Sequence, residues 1–249
     1  MATRKHYHKA PITEGLIDIK VKLPGDIDLE SLDAISQKVK SEFPTKEDRN
    51  LFEGRFMAGP QVQATAQKTK LGYLFRSVDG KRVIQARLDG FTFSRLKPYE
   101  SWDSLRDEAK RLWAVYRQIA RPVQITRVAV RYINQIDIPL PNSDFKDYFR
   151  TFPEVSPDLP QSVRAFLMQL QIGQEDLDAL LVLTQTSVPP PAPNFASIIL
   201  DIDLFRQNCK LESDDEVWTL LESFRDRKNE IFEGCITDKA RQLFGPVTQ

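Results

Sequence analysis

Apolar residues recur at every third and fourth position between Trp102 and Ile119, at Trp102, Leu105, Ala109, Leu112, Trp113, Tyr116 and Ile119. That spacing predicts a broad apolar stripe along one helix. Ser101 stands at its N-cap and Asp103 in its first turn, while Lys110, Arg111 and Arg117 lie toward the end where the helix dipole favours cations. After Pro122 the period changes to two. Val128, Val130, Tyr132, Ile136 and Ile138 fall on one face of a strand, with Asn134 as the polar interruption and Arg127 and Arg131 on the other face.

Upstream, Ile17, Ile19, Val21 and Leu23 alternate with Asp18, Lys20 and Lys22, which predicts a half-buried strand ended by Pro24-Gly25. Asp28 caps a helix reaching Phe43, with Leu29, Leu32, Ile35, Val39 and Phe43 on its stripe. Residues 44–69 carry little periodicity and read as a long loop with an irregular strand. Gly72 to Val78 and Arg82 to Leu96 read as two strands joined across Asp79-Gly80, since Asp-Gly between such runs favours a tight hairpin. The predicted order is strand, helix, strand, strand, helix, strand, the split βαβ pattern.

In the second half a short helix is expected at Asp144 to Phe152, then a connection punctuated by Pro153, Pro157 and Pro160. Ala165 to Ile172 and Asp178 to Ser187 pair as a hairpin, and Pro189, Pro190, Pro191 and Pro193 form a stiff connector. Phe195 to Phe205 is a further strand. Ser213 and Glu216 make a capping box for a helix running to Cys235, and a last helical turn or two spans Asp238 to Phe244. The two halves echo each other. Asp89 precedes the cap Ser101 by the interval that separates Asp201 from Ser213, and Phe93 and Phe205 keep the same shift. The expectation is an α+β protein whose antiparallel sheets are covered by two long helices, Ser101 to Ala120 and Ser213 to Cys235. A flexible basic arm (1–11) precedes two pseudo-repeated halves (12–138 and 139–249), packed as one compact unit. The second half runs helix, strand, strand, strand, helix.

Composition narrows the function classes. With 41% hydrophobic and 28% charged residues, the 249-residue chain has ample material for a core. Thirty-five basic residues balance thirty-five acidic ones, so no global field draws it to nucleic acid or an anionic membrane. The opening MATRKHYHKAP has no apolar run behind it and is not a secretory signal, and no stretch nears the roughly 18 apolar residues of a membrane span. Two cysteines without a close motif suit a reduced compartment, so a cytoplasmic location is expected.

Catalytic signatures are sparse. No glycine-rich phosphate loop, dinucleotide fingerprint, zinc-protease helix or nucleophile elbow is present. His6 and His8 sit in the arm, where solvated side chains are the commoner meaning than a metal site. Cys235 falls on an apolar stripe and Cys209 has no neighbouring histidine to activate it. Glu14, Asp18 and Lys20 could hold Mg²⁺ and steady a phosphate as metal-dependent nucleases do, but the solvent face of an edge strand explains them more simply. Arg87, Asp89 and Arg95 are expected on one strand face, together with Phe91 and Phe93. With Tyr99, Arg131 and Asn134 they form the candidate ligand- or partner-binding set, although ion pairing across the sheet is the commoner use of such residues. No cofactor or metal is expected.

Ala10-Pro11-Ile12-Thr13-Glu14-Gly15-Leu16-Ile17-Asp18, then Asp89-Gly90-Phe91-Thr92-Phe93-Ser94-Arg95-Leu96-Lys97-Pro98-Tyr99 with Trp102, and Arg131-Tyr132-Ile133-Asn134 resemble an uncharacterised bacterial family of similar length, scattered sporadically among genomes. Lys228-Asn229, Phe232 and Thr237-Asp238 echo it near the C-terminus. The resemblance implies no catalytic residue. Sporadic occurrence implies horizontal spread, as accessory components of phage defence or toxin neutralisation have. The expected function is therefore a non-enzymatic protein-binding module, possible homo-oligomers included, in a bacterial defence or toxin–antitoxin system. The alternatives are a pocket between sheet and long helix near Arg95, Tyr99 and Arg131, holding a small apolar or anionic ligand, and a metal-dependent nuclease.

Overall fold

The computed structural model describes residues 7–57, 63–140, 144–161, 163–209, 211 and 213–246. Nine strands form one open sheet in which every neighbouring pair is antiparallel: β1 (Ile12–Lys22), β2 (Thr45–Met57), β3 (Gln63–Arg76), β4 (Arg82–Arg87), β5 (Gly90–Leu96), β6 (Gln124–Pro139), β7 (Leu167–Gln174), β8 (Ala179–Val188) and β9 (Phe195–Gln207). Their order across the sheet is β2-β3-β4-β5-β1-β6-β9-β8-β7. Four helices accompany them among the described residues: α1 (Leu29–Val39), α2 (Trp102–Ala120), α3 (Asp214–Cys235) and α4 (Asp238–Phe244). The α+β class stands.

The helix starts follow the side-chain caps. Asp28 accepts from the Ser31 amide, Ser101 from that of Ser104, and Ser213 from that of Glu216. At the far end of α2, Arg121 takes a left-handed conformation and closes the helix onto the Arg117 carbonyl.

The helices cover one face of the sheet. Its central strands turn Ile17, Ile19, Phe91, Phe93, Val128, Val130, Ile202 and Leu204 toward them, all fully buried. Phe91 packs against Trp113 and Tyr116 of α2, whose rings stack on each other. Two acidic residues of α3 join the layer together. Glu222 accepts from the Trp102 indole (2.9 Å) and Asp214 from that of Trp113 (3.0 Å).

Three expectations change. Residues 44–69 are not a loop: β2 and β3 pair throughout their length as a hairpin extending past the end of β4, although residues 58–62 lie outside the described part. Arg82 to Leu96 is not one strand, because Leu88 and Asp89 form a two-residue turn between β4 and β5. Gly90 permits that turn, with φ at 155°; a Cβ there would stand 2.4 Å from the Ile19 carbonyl oxygen. The first half is thus strand, helix, four strands, helix, strand. The helix expected at Asp144 to Phe152 is a single 3-10 turn, Phe145–Asp147.

The shift that relates Ser101 to Ser213 aligns the two caps only. Asp89 is in the turn whereas Asp201 is inside β9, and Phe93 faces the helices whereas Phe205 faces away. His6 and the rest of residues 1–6 lie outside the described part. His8 and Lys9 donate backbone hydrogen bonds to the Gly245 and Phe244 carbonyls, and the Tyr7 hydroxyl donates to Glu233.

Candidate functional site

Among the described residues the other face of the sheet carries no helix. Alternation places Asp18 and Lys20 of β1, Arg87 of β4, Thr92 of β5, Arg127 and Arg131 of β6, and Asp201 and Asp203 of β9 there, side by side through the pairings β4-β5-β1-β6-β9. β1 bulges between Lys20 and Val21, and β2 between Arg49 and Asn50; such irregularities bend strands. This face holds a concavity of about 700 Å³.

Asp18 is its hub. One carboxylate oxygen accepts from Arg87 Nη2 (2.9 Å) and Thr92 Oγ1 (2.7 Å), the other from Arg127 Nη1 (2.9 Å). Arg127 continues to Asp203 (3.0 Å) and lies over the Phe205 ring, 4.2 Å from its centroid. Arg87 also donates from Nε to Asp89 (2.8 Å), to which Lys20 comes within 3.4 Å. Arg131 grips Asp201 with both Nε and Nη2. Alternating charges on adjacent strands thus satisfy one another.

The electrostatics follow the burial. Desolvation works against the Arg87 charge, yet the Asp18 and Asp89 carboxylates hold its pKa above the ordinary arginine value. For Asp203 burial prevails over Arg127 and Arg131, and its pKa is raised. Five cations line the concavity, Lys20, Arg49, Arg87, Arg127 and Arg131, against the carboxylates of Asp18, Asp89 and Asp203. Arg49 meets only the Gln85 amide oxygen (3.2 Å) and the Asn50 carbonyl (3.4 Å), so among the described residues it has no carboxylate partner.

The expected site residues divide between the two faces. Arg87, Asp89 and Arg131 line the concavity. Arg95 is on the helix side, bound to Glu100 (2.8 Å) and Glu108 (2.6 Å), so it does not share a face with Arg87. Tyr99 is also on that side, its hydroxyl 2.9 Å from that of Tyr132, and burial lifts its pKa to about 12. Asn134 is buried at 2% exposure and donates to the Leu200 carbonyl (3.0 Å), out of reach of a partner. Arg95, Tyr99 and Arg131 therefore do not converge on one pocket, since the sheet separates Arg131 from the other two. Asp201, Asp203 and Thr92 were not singled out from the sequence as site residues; their alternation with Leu200, Ile202 and Leu204, and with Phe91 and Phe93, is the signal that could have placed them on this face.

Both Asp18 oxygens are engaged, and among the described residues no three His, Cys, Asp or Glu side chains converge to hold a metal. Burial raises the Cys209 thiol pKa and pushes that of Cys235 to about 11, which works against thiolate formation. Under α3 the Lys228 ammonium rests 3.7 Å from the Tyr132 ring centroid without a carboxylate among the described residues, and burial lowers its pKa to about 7, with Arg225 adding. Among the described residues no helix is long and apolar enough to cross a membrane.

No protein-family model matches the chain, and it has no significant match among curated proteins.

Proposed function

We propose that the protein is a non-enzymatic binding module whose helix-free sheet face receives an acidic segment of another protein. The observation that carries this reading is Arg49 on the wall of the concavity, without a carboxylate partner among the described residues, with half-exposed Arg131 also lining it. The self-paired network holds Arg87, Arg127 and Arg131 in place before a partner arrives, which lowers the ordering cost of binding. A carboxylate is the natural complement to a guanidinium fork. The nuclease reading loses support because Asp18 is committed to Arg87, Arg127 and Thr92.

The two halves are further read as pseudo-repeats. What supports this is the order of strands on each side of the β1–β6 pair: β5, β4, β3 on one side and β9, β8, β7 on the other, with α2 following β5 as α3 follows β9. The sporadic occurrence of the family that the chain resembles supports a role as an accessory or neutralising component of a bacterial defence or toxin–antitoxin system.

An Asp/Glu-rich peptide tests the site. It should bind the full chain in a calorimeter, weaken as salt is added, and lose most of its affinity to the Arg49→Ala, Arg131→Ala double variant. A matched Asn/Gln peptide should not bind. Equal affinity for both peptides, or tighter binding of single-stranded RNA than of the acidic peptide, would overturn the reading.

A further inference from the structure

The sheet is open, and its two edges differ in chemistry. β2 begins Thr45-Lys46-Glu47-Asp48-Arg49, so charge guards that edge against pairing with another strand. At the opposite edge β7 reads Leu167-Met168-Gln169-Leu170-Gln171-Ile172-Gly173-Gln174, with no charged residue and no proline. It pairs with β8 on one side and with nothing in the described chain on the other. Leu167 is 73% exposed and Ile172 41%, two of the most exposed large apolar side chains outside loops. Eight residues of unguarded strand present backbone donors and acceptors along their outer side.

The pattern of β7 matches itself under a two-fold axis. In an antiparallel pair of identical strands, residues that face each other must share a sheet face, so the axis falls on a residue and not between two. With the axis at Leu170, Met168 of one copy meets Ile172 of the other, and Leu170 meets its own equivalent, all on the face that carries the helices. On the opposite face Gln169 meets Gln171, and Leu167 meets Gly173. Apolar residues thus meet on one side and amides on the other, with no like charges opposed. An axis at Gln171 would instead set Met168 against Gln174 and leave Leu167 unmatched.

We propose that two copies of this chain join edge to edge through β7, antiparallel about a two-fold axis at Leu170, and continue one sheet across the pair. A second copy is the occupant because the contact is self-complementary and closes at two: it consumes both β7 edges and leaves the charged β2 edges outward. The concave face is not covered, so the dimer presents two of them on the same side of a longer sheet.

Sedimentation equilibrium of the full chain should give a dimer. The Gln169→Lys, Gln171→Lys variant sets ammonium groups opposite each other and should be monomeric, with unchanged circular dichroism because both positions are exposed. The Gln169→Glu, Gln171→Glu variant should also be monomeric, and an equimolar mixture of the two should restore the dimer. Independently, β7 amides of the parent should exchange hydrogen slowly when concentrated and faster on dilution. A monomeric parent, a dimer that the lysines leave intact, a mixture that stays monomeric or exchange independent of concentration would each overturn the proposal.

Discussion

The Trp113 indole donates to the Asp214 carboxylate, 3.0 Å away, and so ties the middle of α2 to the first turn of α3. The contact joins the two halves of the chain above the sheet. Trp113 is 1% exposed, so its N–H has nowhere else to turn, and Arg117 approaches the same carboxylate from the next turn of α2.

Asp214→Ala should therefore destabilise the fold by about 1–3 kcal/mol, the usual cost of stranding a buried donor. Trp113→Phe combined with Asp214→Ala should cost less than the sum of the two single changes. Urea midpoints of the four proteins check this, and strict additivity would refute a direct interaction.

Asp18→Asn removes the charge that Arg87 and Arg127 share while keeping the shape of the side chain. A broken buried pair costs about 3–5 kcal/mol, and Asp18 has two such partners with a side chain only 12% exposed. Asp26→Asn, which breaks the fully exposed pair with Arg121, should leave the urea midpoint unmoved. Equal effects of the two substitutions would mean that the network on the concave face contributes little to stability.

Gln185 is 1% exposed, and among the described residues neither end of its amide has a hydrogen-bond partner. It points to the helix side between Met168 on β7 and Leu200 on β9, both apolar. Gln185→Leu should raise stability by about 1–3 kcal/mol by removing two unsatisfied polar atoms. A lower denaturation midpoint in the variant would contradict this account.

Lys228 gives the protein a pH dependence in the alkaline range. The ordinary lysine value is 10.5, and the folded chain lowers it to about 7. Between these values the unfolded chain holds the proton and the folded chain does not, so stability rises with pH, by at most about 1.4 kcal/mol per unit. Above roughly pH 10 Tyr99 and Tyr116 act in the opposite sense, because burial keeps them protonated after the unfolded chain has ionised. Unfolding free energies measured from pH 7 to 10 should climb in the parent. Lys228→Met should flatten the profile and be more stable at pH 7; a slope that persists in the variant would acquit the lysine.

Local signals in the sequence translated well. Asp28, Ser101 and Ser213 cap the helices expected of them, because capping depends on residues three positions apart. The alternation in β6 put Arg127 and Arg131 opposite Tyr132 and Asn134, as the strand does. The turn at Leu88-Asp89 escaped because apolar residues run on through it, although Asp89-Gly90 is the same pair of residue types as Asp79-Gly80. The hairpin of β2 and β3 escaped because its far half extends beyond β4. The polar network was legible as alternating residues but not as a site: Asp18 and Arg87 meet only because β1, far upstream, inserts beside β5 and brings β4 within reach.

That insertion also sets an order of events for the chain as it is made. β1 leaves the ribosome before either strand it hydrogen-bonds, and it must wait until Gly90 to Leu96 and then Gln124 to Pro139 have followed. Contacts so distant along the chain close slowly. Until then the nascent polypeptide carries a bare apolar ribbon, Ile17, Ile19 and Val21, that any chaperone attending synthesis would have to shield.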